Sequence, residues 1–171
     1  MLKVEQLTPG EFAAAVPRLG EILADAVNSG AGVSFMLPFS QEDGAGYWRG
    51  LSESVTRGGK IVFLARDGAT IAGCVILERA WPPNQPHRGE IMKMLVHRDY
   101  RRQGAGADLV TAVIAKARAM GLTLLNFDTV AGSPAEAFYR GLGFTCAGYI
   151  PGYALSPAGK PDDTAIFYMK L

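Results

Sequence analysis

The sequence predicts a mixed α/β domain, and three observations carry that prediction. Two β-rich runs, Lys60 to Arg66 and Thr70 to Arg79, are joined by Asp67 and Gly68, a strong hairpin signal. From Glu90 to Gly143, strand-like and helix-like apolar patterns then alternate, which is the signature of helices packed on a sheet. The length of 171 residues, with 49 % apolar and 19 % charged, fits one core of ordinary size, so residues 1–171 are expected to form a single domain.

Each element has its own local cause. Leu2 to Leu7 alternate as a strand, after which Thr8, Pro9 and Glu11 form a capping box with proline at the first helical position, predicting a helix from Pro9 to Val27. Asn28 to Phe39 is rich in small residues, yet Phe35, Met36, Leu37 and Phe39 make it too apolar for a free linker, so it reads as a loop packed over something. Tyr47, Leu51 and Val55 recur at intervals of four in a helix predicted from Gln41 to Thr56, stopped by Gly58 and Gly59. The prolines of Trp81 to Arg88 exclude regular structure, and Glu90 to Val96, apolar on both faces, is expected at the centre of the sheet.

Leu109, Val113, Ala117 and Met120 mark the buried face of a helix from Gly104 to Met120, ended by Gly121. Leu122 to Thr129 reads as a strand and Pro134 to Leu142 as a short helix closed by Gly143. Phe144 to Ile150 and Thr164 to Lys170 read as closing strands.

Composition excludes several functions. The 17 Lys and Arg nearly balance the 16 Asp and Glu, and a net charge of +1 gives no general attraction for nucleic acid or anionic lipid. Cys74 and Cys146, with His87 and His97 equally scattered, suit neither a disulfide framework nor a zinc site, so reduced thiols and no metal are expected. No apolar run approaches the ~18 residues of a membrane span and no basic leader opens the chain, which leaves a cytoplasmic protein as the expectation.

The chemistry is concentrated in two motifs. A strand ends at Val96, and Arg101, Arg102, Gln103, Gly104, Ala105 and Gly106 then lead directly into a helix. Such a turn converges main-chain N–H groups and the positive end of a helix dipole on one point, where glycine lets a phosphate approach closely. After one further strand, Phe138, Tyr139, Arg140, Gly141, Leu142, Gly143 and Phe144 close a second glycine-marked helix. Together the RxxGxG spacing at Arg101, Gly104 and Gly106 and this aromatic pair with its terminal Gly-Phe resemble the GCN5-related N-acetyltransferase (GNAT) family. Gly32 to Met36, Asp128 to Tyr139 and Pro151 to Tyr153 look like the tabtoxin-resistance acetyltransferases within it.

The resemblance implies a seven-stranded, mixed and mostly antiparallel sheet with about four helices, splayed at strands 4 and 5. It also implies direct transfer of an acetyl group from acetyl-CoA to a primary amine in a ternary complex. The pantetheine arm would pair like an added strand with Met94, Leu95 and Val96. A backbone N–H there, expected to be that of Leu95, would stabilise the oxyanion of the thioester carbonyl. The pyrophosphate would sit on Arg102, Gln103, Gly104, Ala105, Gly106 and Ala107, following Arg101, with Phe138 packed alongside. The asparagine often found seven residues before the tyrosine is here Gly132, so either Ser133 supplies the missing contact or nothing does.

A substrate ammonium must lose a proton before it attacks. Glu90, eleven residues before Arg101, matches the general-base glutamate of the histone-acetylating members, and burial would raise its pKa; it equally fits a strand-edge salt bridge with Arg88 or Lys93. Asp128, at the end of the adjacent strand, could anchor the ammonium or share the work of the base, and otherwise fits a helix or turn cap. Tyr139 is the natural acid for the departing thiolate, a transfer uphill by only about 2 kcal/mol from ordinary pKa values, and is otherwise a core aromatic. Phe35, Met36, Tyr149 and Tyr153 are placed where relatives line the acceptor side, or are plain core.

The expected acceptor is a small amino-acid-like amine, as in resistance to an antibiotic or toxin. A protein N-terminus or lysine is the rival within the class, and a non-catalytic acyl-CoA sensor the rival outside it. A homodimer is an additional expectation, with no nucleic-acid or membrane partner.

Overall fold

The computed structural model describes residues 2–171. In chain order the elements are β1 (Lys3–Gln6), α1 (Pro9–Asn28), α2 (Gln41–Arg49), α3 (Ser52–Thr56), β2 (Lys60–Asp67), β3 (Thr70–Arg79), β4 (Arg88–Val96), a single 3-10 turn (Arg98–Tyr100), α4 (Ala105–Ala119), β5 (Leu124–Val130), α5 (Pro134–Gly141), β6 (Thr145–Leu155) and β7 (Pro161–Lys170). The seven strands form one sheet in the order β1-β2-β3-β4-β5-β7-β6, and among them only β4 and β5 run parallel. The mixed sheet expected from the sequence is therefore present, with β4 at its centre. Among the described residues, no helix is long and apolar enough to cross a membrane.

The alternation of side chains along each strand separates two cores. On β2, Val62 and Leu64 join Phe12, Leu19, Leu23 and Trp48 under the first two helices, whereas Phe63 and Ala65 face Leu109, Val113 and Phe167 under α4. α1 starts where the sequence placed it, with Thr8 and Glu11 closing a capping box. It meets α2 main chain to main chain: a Cβ on Gly20 would lie 2.6 Å from the Ala45 nitrogen, and one on Gly44 would lie 2.4 Å from the Gly20 carbonyl oxygen.

The helix predicted from Gln41 to Thr56 is two helices. The Ser52 hydroxyl donates to the Arg49 carbonyl and the Leu51 N–H turns back to the Trp48 carbonyl, so the local chain tightens and ends α2 early. The last two strands are longer than their apolar patterns indicated, because β6 continues past two register shifts, one between Cys146 and Gly148 and one between Ile150 and Ala154.

Two irregularities shape the centre of the sheet. β4 and β5 pair only over Arg88 to Glu90 with Leu124 to Asn126, and both strands then continue apart. The β3–β4 ladder shifts register between Cys74 and Ile76, opposite Leu95 and Met92, which places an extra residue in β4. Lys93, at that bulge, has φ +48°. A bulge of this kind bends the strand and increases its twist, and the sheet opens directly beside it.

Candidate active site

The opening between β4 and β5 exposes one edge of β4, and strand parity decides which of its groups are free. His97 donates to the Ala72 carbonyl at 2.9 Å, so the main-chain groups of His97 and of Leu95, two residues before it, face β3. Val96 and Met94 therefore present theirs to the opening, and the Val96 carbonyl accepts from Arg101 Nε at 3.0 Å on that side. The expectation that Leu95 supplies the free N–H is corrected to Met94 and Val96.

The turn after β4 supplies a second set of free donors. Among the described residues, the amides of Arg102, Gln103, Gly104, Ala105, Gly106 and Ala107 have no hydrogen-bond acceptor within the protein; α4 begins at Ala105, and Asp108 is the first to donate back, to the Gly104 carbonyl. Arg102 at φ +62° and Gly104 at φ +89° curl the chain so that these groups converge. A cavity of about 570 Å³ lies against them, walled by Met94, Val96, Tyr100, Pro134 and Phe138. Gly106 lies close to this wall, since a Cβ there would come within 3.2 Å of the Phe138 ring. Convergent amides at a helix N-terminus bind diphosphates well, and an open strand edge beside them suits an amide chain.

Two polar side chains of the turn are committed elsewhere. Arg101 donates to Asp25 of α1 at 2.9 Å, and Arg98 also pairs with Asp25, so α1 is tied to the turn. Gln103 Nε2 donates to the Asp99 carbonyl at 3.1 Å. Both side chains are exposed but held by these bonds, so both residues contribute to the turn chiefly through their main chain.

A larger cavity of about 600 Å³ adjoins the first, sharing Met94, Val96, Arg101 and Pro134 with it. Glu90 and Lys93 on β4, Asp128 on β5, Tyr139 on α5 and the Gly32–Ser34 loop all face it. The family model described as Acetyltransferase (GNAT) family matches residues 34–144, from the loop after α1 through the end of α5. The chain belongs to the GNAT acetyltransferase family.

Solved structures with the same fold include three proteins of low sequence identity. The ribosomal-protein-alanine N-acetyltransferase of Brucella melitensis superposes with a TM-score of 0.81 at 22 % identity, covering 99 % of this chain and 100 % of its own. A GCN5-related N-acetyltransferase from Kribbella flavida gives 0.80 at 19 % identity over 99 % and 98 % of the two chains. The Salmonella typhimurium protein yncA, solved with its cofactor acetyl-CoA, gives 0.78 at 17 % identity over 99 % and 94 %.

Within this GNAT fold the expected site residues divide into those brought together and those left out. Glu90 and Asp128 both line the large cavity. Glu90 is not buried, however: its side chain is 40 % exposed, with the Arg88 guanidinium 3.7 Å away, because it extends from β4 on the open side of the splay. Asp128 is exposed and accepts from the Thr164 hydroxyl at 3.0 Å. Ser133 faces the cavity while its hydroxyl caps α5 by accepting from the Glu136 N–H at 3.3 Å.

Tyr139 departs from the simple acid expected. It is buried against Phe127, ring centroids 4.1 Å apart, and this apolar surrounding pushes its phenol well above the usual value. Full proton transfer to a thiolate is thus further uphill than ordinary pKa values indicate, while the phenol stays protonated and able to donate.

The acceptor-side expectations largely move elsewhere. Tyr149 donates to Glu136 Oε1 at 2.7 Å and accepts from Arg140 at 2.8 Å, a cluster outside both cavities. These partners, with the Gly132 N–H, hold the Glu136 carboxyl down to about 2. Tyr153 is 55 % exposed and Met36 44 % exposed, and neither lines a cavity; Met36 instead lies beside Gly159 of the β6–β7 turn. Phe35 packs against Phe39 and Tyr47, one layer behind the cavity wall.

Sequence reading gave no role of its own to Lys93, whose ammonium faces the cavity, or to Asp25, whose ion pairs hold the turn. Their signals are long-range contacts, which no local pattern carries.

Proposed function

We propose that this GNAT protein transfers the acetyl group of acetyl-CoA to the primary amine of a small amino-acid-like molecule by direct attack in a ternary complex. The observation that carries the reading is the run of six amides without an acceptor among the described residues, Arg102 to Ala107, continuous with the free β4 edge and opening into a cavity lined by the carboxylates of Glu90, Asp128 and Asp162. The diphosphate of the donor suits the amides, its pantetheine amides suit Met94 and Val96, and the thioester carbonyl then lies near the Met94 N–H as oxyanion donor. Glu90 and Asp128 are the groups available to receive the ammonium proton. The amine nitrogen bonds to the acyl carbon, the carbon–sulfur bond breaks while the protonated Tyr139 donates a hydrogen bond to the departing thiolate, and the second proton that the nitrogen sheds as it becomes an amide passes to that sulfur, which leaves as thiol.

The acceptor class rests on the likeness of Gly32 to Met36 and Asp128 to Tyr139 to tabtoxin-resistance enzymes, and on a cavity of about 600 Å³, a size suited to small molecules. A toxin or antimetabolite with a free amine, β-lactam amino acids included, is the corresponding physiological target. The test is thiol release from acetyl-CoA with purified protein against primary amines, amino acids and peptides with free N-terminal alanine. Turnover with small amines well above hydrolysis is the expected result. Turnover confined to peptides would transfer the assignment to protein acetylation, and acetyl-CoA binding with no thiol from any acceptor would leave a sensor.

A further inference from the structure

Lys93 stands at the bulge of β4 with a half-buried side chain that faces the large cavity. Its Nζ donates to the Val33 carbonyl at 3.0 Å and to the Ser34 hydroxyl at 3.4 Å, and lies 5.4 Å from the ring centroids of both Phe35 and Tyr47. All four partners are uncharged, and among the described residues Lys93 makes no ion pair. The other charges nearby are engaged or stand apart. Lys60 is paired with Glu78, Glu90 with Arg88, and Arg101 with Asp25. Asp128 faces the same cavity from β5 without touching Lys93, and its hydroxyl partner is Thr164.

Asp162 of β7 also lines the cavity, so Lys93 stands there beside the carboxylates of Asp128 and Asp162 without an ion pair to either among the described residues. Burial lowers the Lys93 pKa and the Asp128 charge pulls it back upward, so the ammonium has lost part of its hydration and is not neutralised by contact. Such a group gains strongly from an anion that enters beside it. The positive φ at Lys93 is a further sign, since a lysine is held in a backbone region that glycine enters more easily.

We propose that Lys93 anchors a carboxylate of the acceptor while Asp128, with Glu90, receives its ammonium, so that the acceptor is a free amino acid or close analogue with the carboxylate retained. This rests on the acetyltransferase reading and narrows it. It makes Lys93 a specificity-determining residue that binds through the group remote from the bond being formed, so its removal acts on KM more than on kcat.

The test pairs amino acids with amines that lack only the carboxylate: alanine with ethylamine, and lysine with cadaverine. Wild-type kcat/KM is expected to favour the amino acid of each pair by about tenfold or more, the scale of one charge-assisted hydrogen bond. Lys93→Gln is expected to raise KM for the amino acids by about 10- to 100-fold, with kcat nearly kept and the amines losing far less; Lys93→Arg recovers part of the loss. Equal use of both members of a pair by the wild type, or equal losses in Lys93→Gln, overturns the inference and leaves the acetyltransferase intact. Should no acceptor release thiol, the acetyltransferase reading falls, and calorimetry of the wild type and Lys93→Gln with a mixture of free amino acids decides the anchor separately. Binding weakened about tenfold or more in the variant upholds it, and absent or unchanged binding removes it.

Discussion

Tyr139 keeps its proton because Phe127, Phe138 and Phe144 surround the ring, with centroids between 4.1 and 5.8 Å away. Replacing it by Phe preserves that packing and deletes only the hydroxyl. Tyr139→Phe is expected to lower saturated turnover by about 100-fold or more, with melting temperature and acetyl-CoA affinity nearly kept, as measured by thiol release, thermal unfolding and calorimetry. Gly104 at φ +89° makes a complementary case on the donor side. Gly104→Ala forces a side chain into the left-handed region at a cost of about 1 kcal/mol, and acetyl-CoA binding should weaken by several-fold in the same calorimetric assay. Residue by residue, the glycines of the turn were legible because a phosphate cradle leaves them little alternative. Which amides of β4 are free was not, since Ile91, Met92, Met94, Leu95 and Val96 are all apolar and hide the bulge that resets their parity.

Elements fail or hold at their contacts, and α1 against α2 is the tightest. Gly20→Ala gains up to about 1 kcal/mol of helix propensity but drives a methyl into the Ala45 nitrogen and the Gln41 carbonyl, which are main chain and cannot rotate aside. The expected net effect is a loss of about 1–3 kcal/mol in denaturant unfolding. The loop between these helices carries Val33, Ser34 and Phe35 to Lys93, so KM for the acceptor should rise in the same variant while acetyl-CoA affinity is kept. The capping box of α1 was legible because it lies in four consecutive residues. The break between α2 and α3 was not: the spacing of Tyr47, Leu51 and Val55 continues through it, and only the Ser52 hydroxyl reaching Arg49 reveals the stop.

At the scale of the molecule, burial of ionisable groups in neutral form sets the alkaline limit. Cys74 is fully buried and its thiol is pushed from 9.0 up to about 12; Tyr47 is pushed from 10.0 up to about 12 by burial. Both folded values are raised, so the stabilisation is whole below the unfolded values and is lost as pH climbs towards the folded ones. Unfolding free energy should fall above about pH 9 by up to about 1.4 kcal/mol per pH unit for each group released. Cys74→Ala should flatten the first part of that fall, measured as denaturation midpoint against pH between 9.0 and 10.0, before the tyrosine contributes. The sheet order itself was beyond the sequence, because inserting β7 between β5 and β6 depends on pairings with no local trace.

The gap where β4 and β5 part also has a kinetic meaning. Ala105 and Phe138 belong to the α4 core, whereas Phe35 and Tyr47, which flank the Lys93 ammonium, belong to the α1 core, so under the proposed function the two reactants would enter adjoining cavities from different sides. On that reading neither would have to leave for the other to arrive. Double-reciprocal plots of initial rate should accordingly intersect, and dead-end analogues of the acceptor should leave the donor's entrance open.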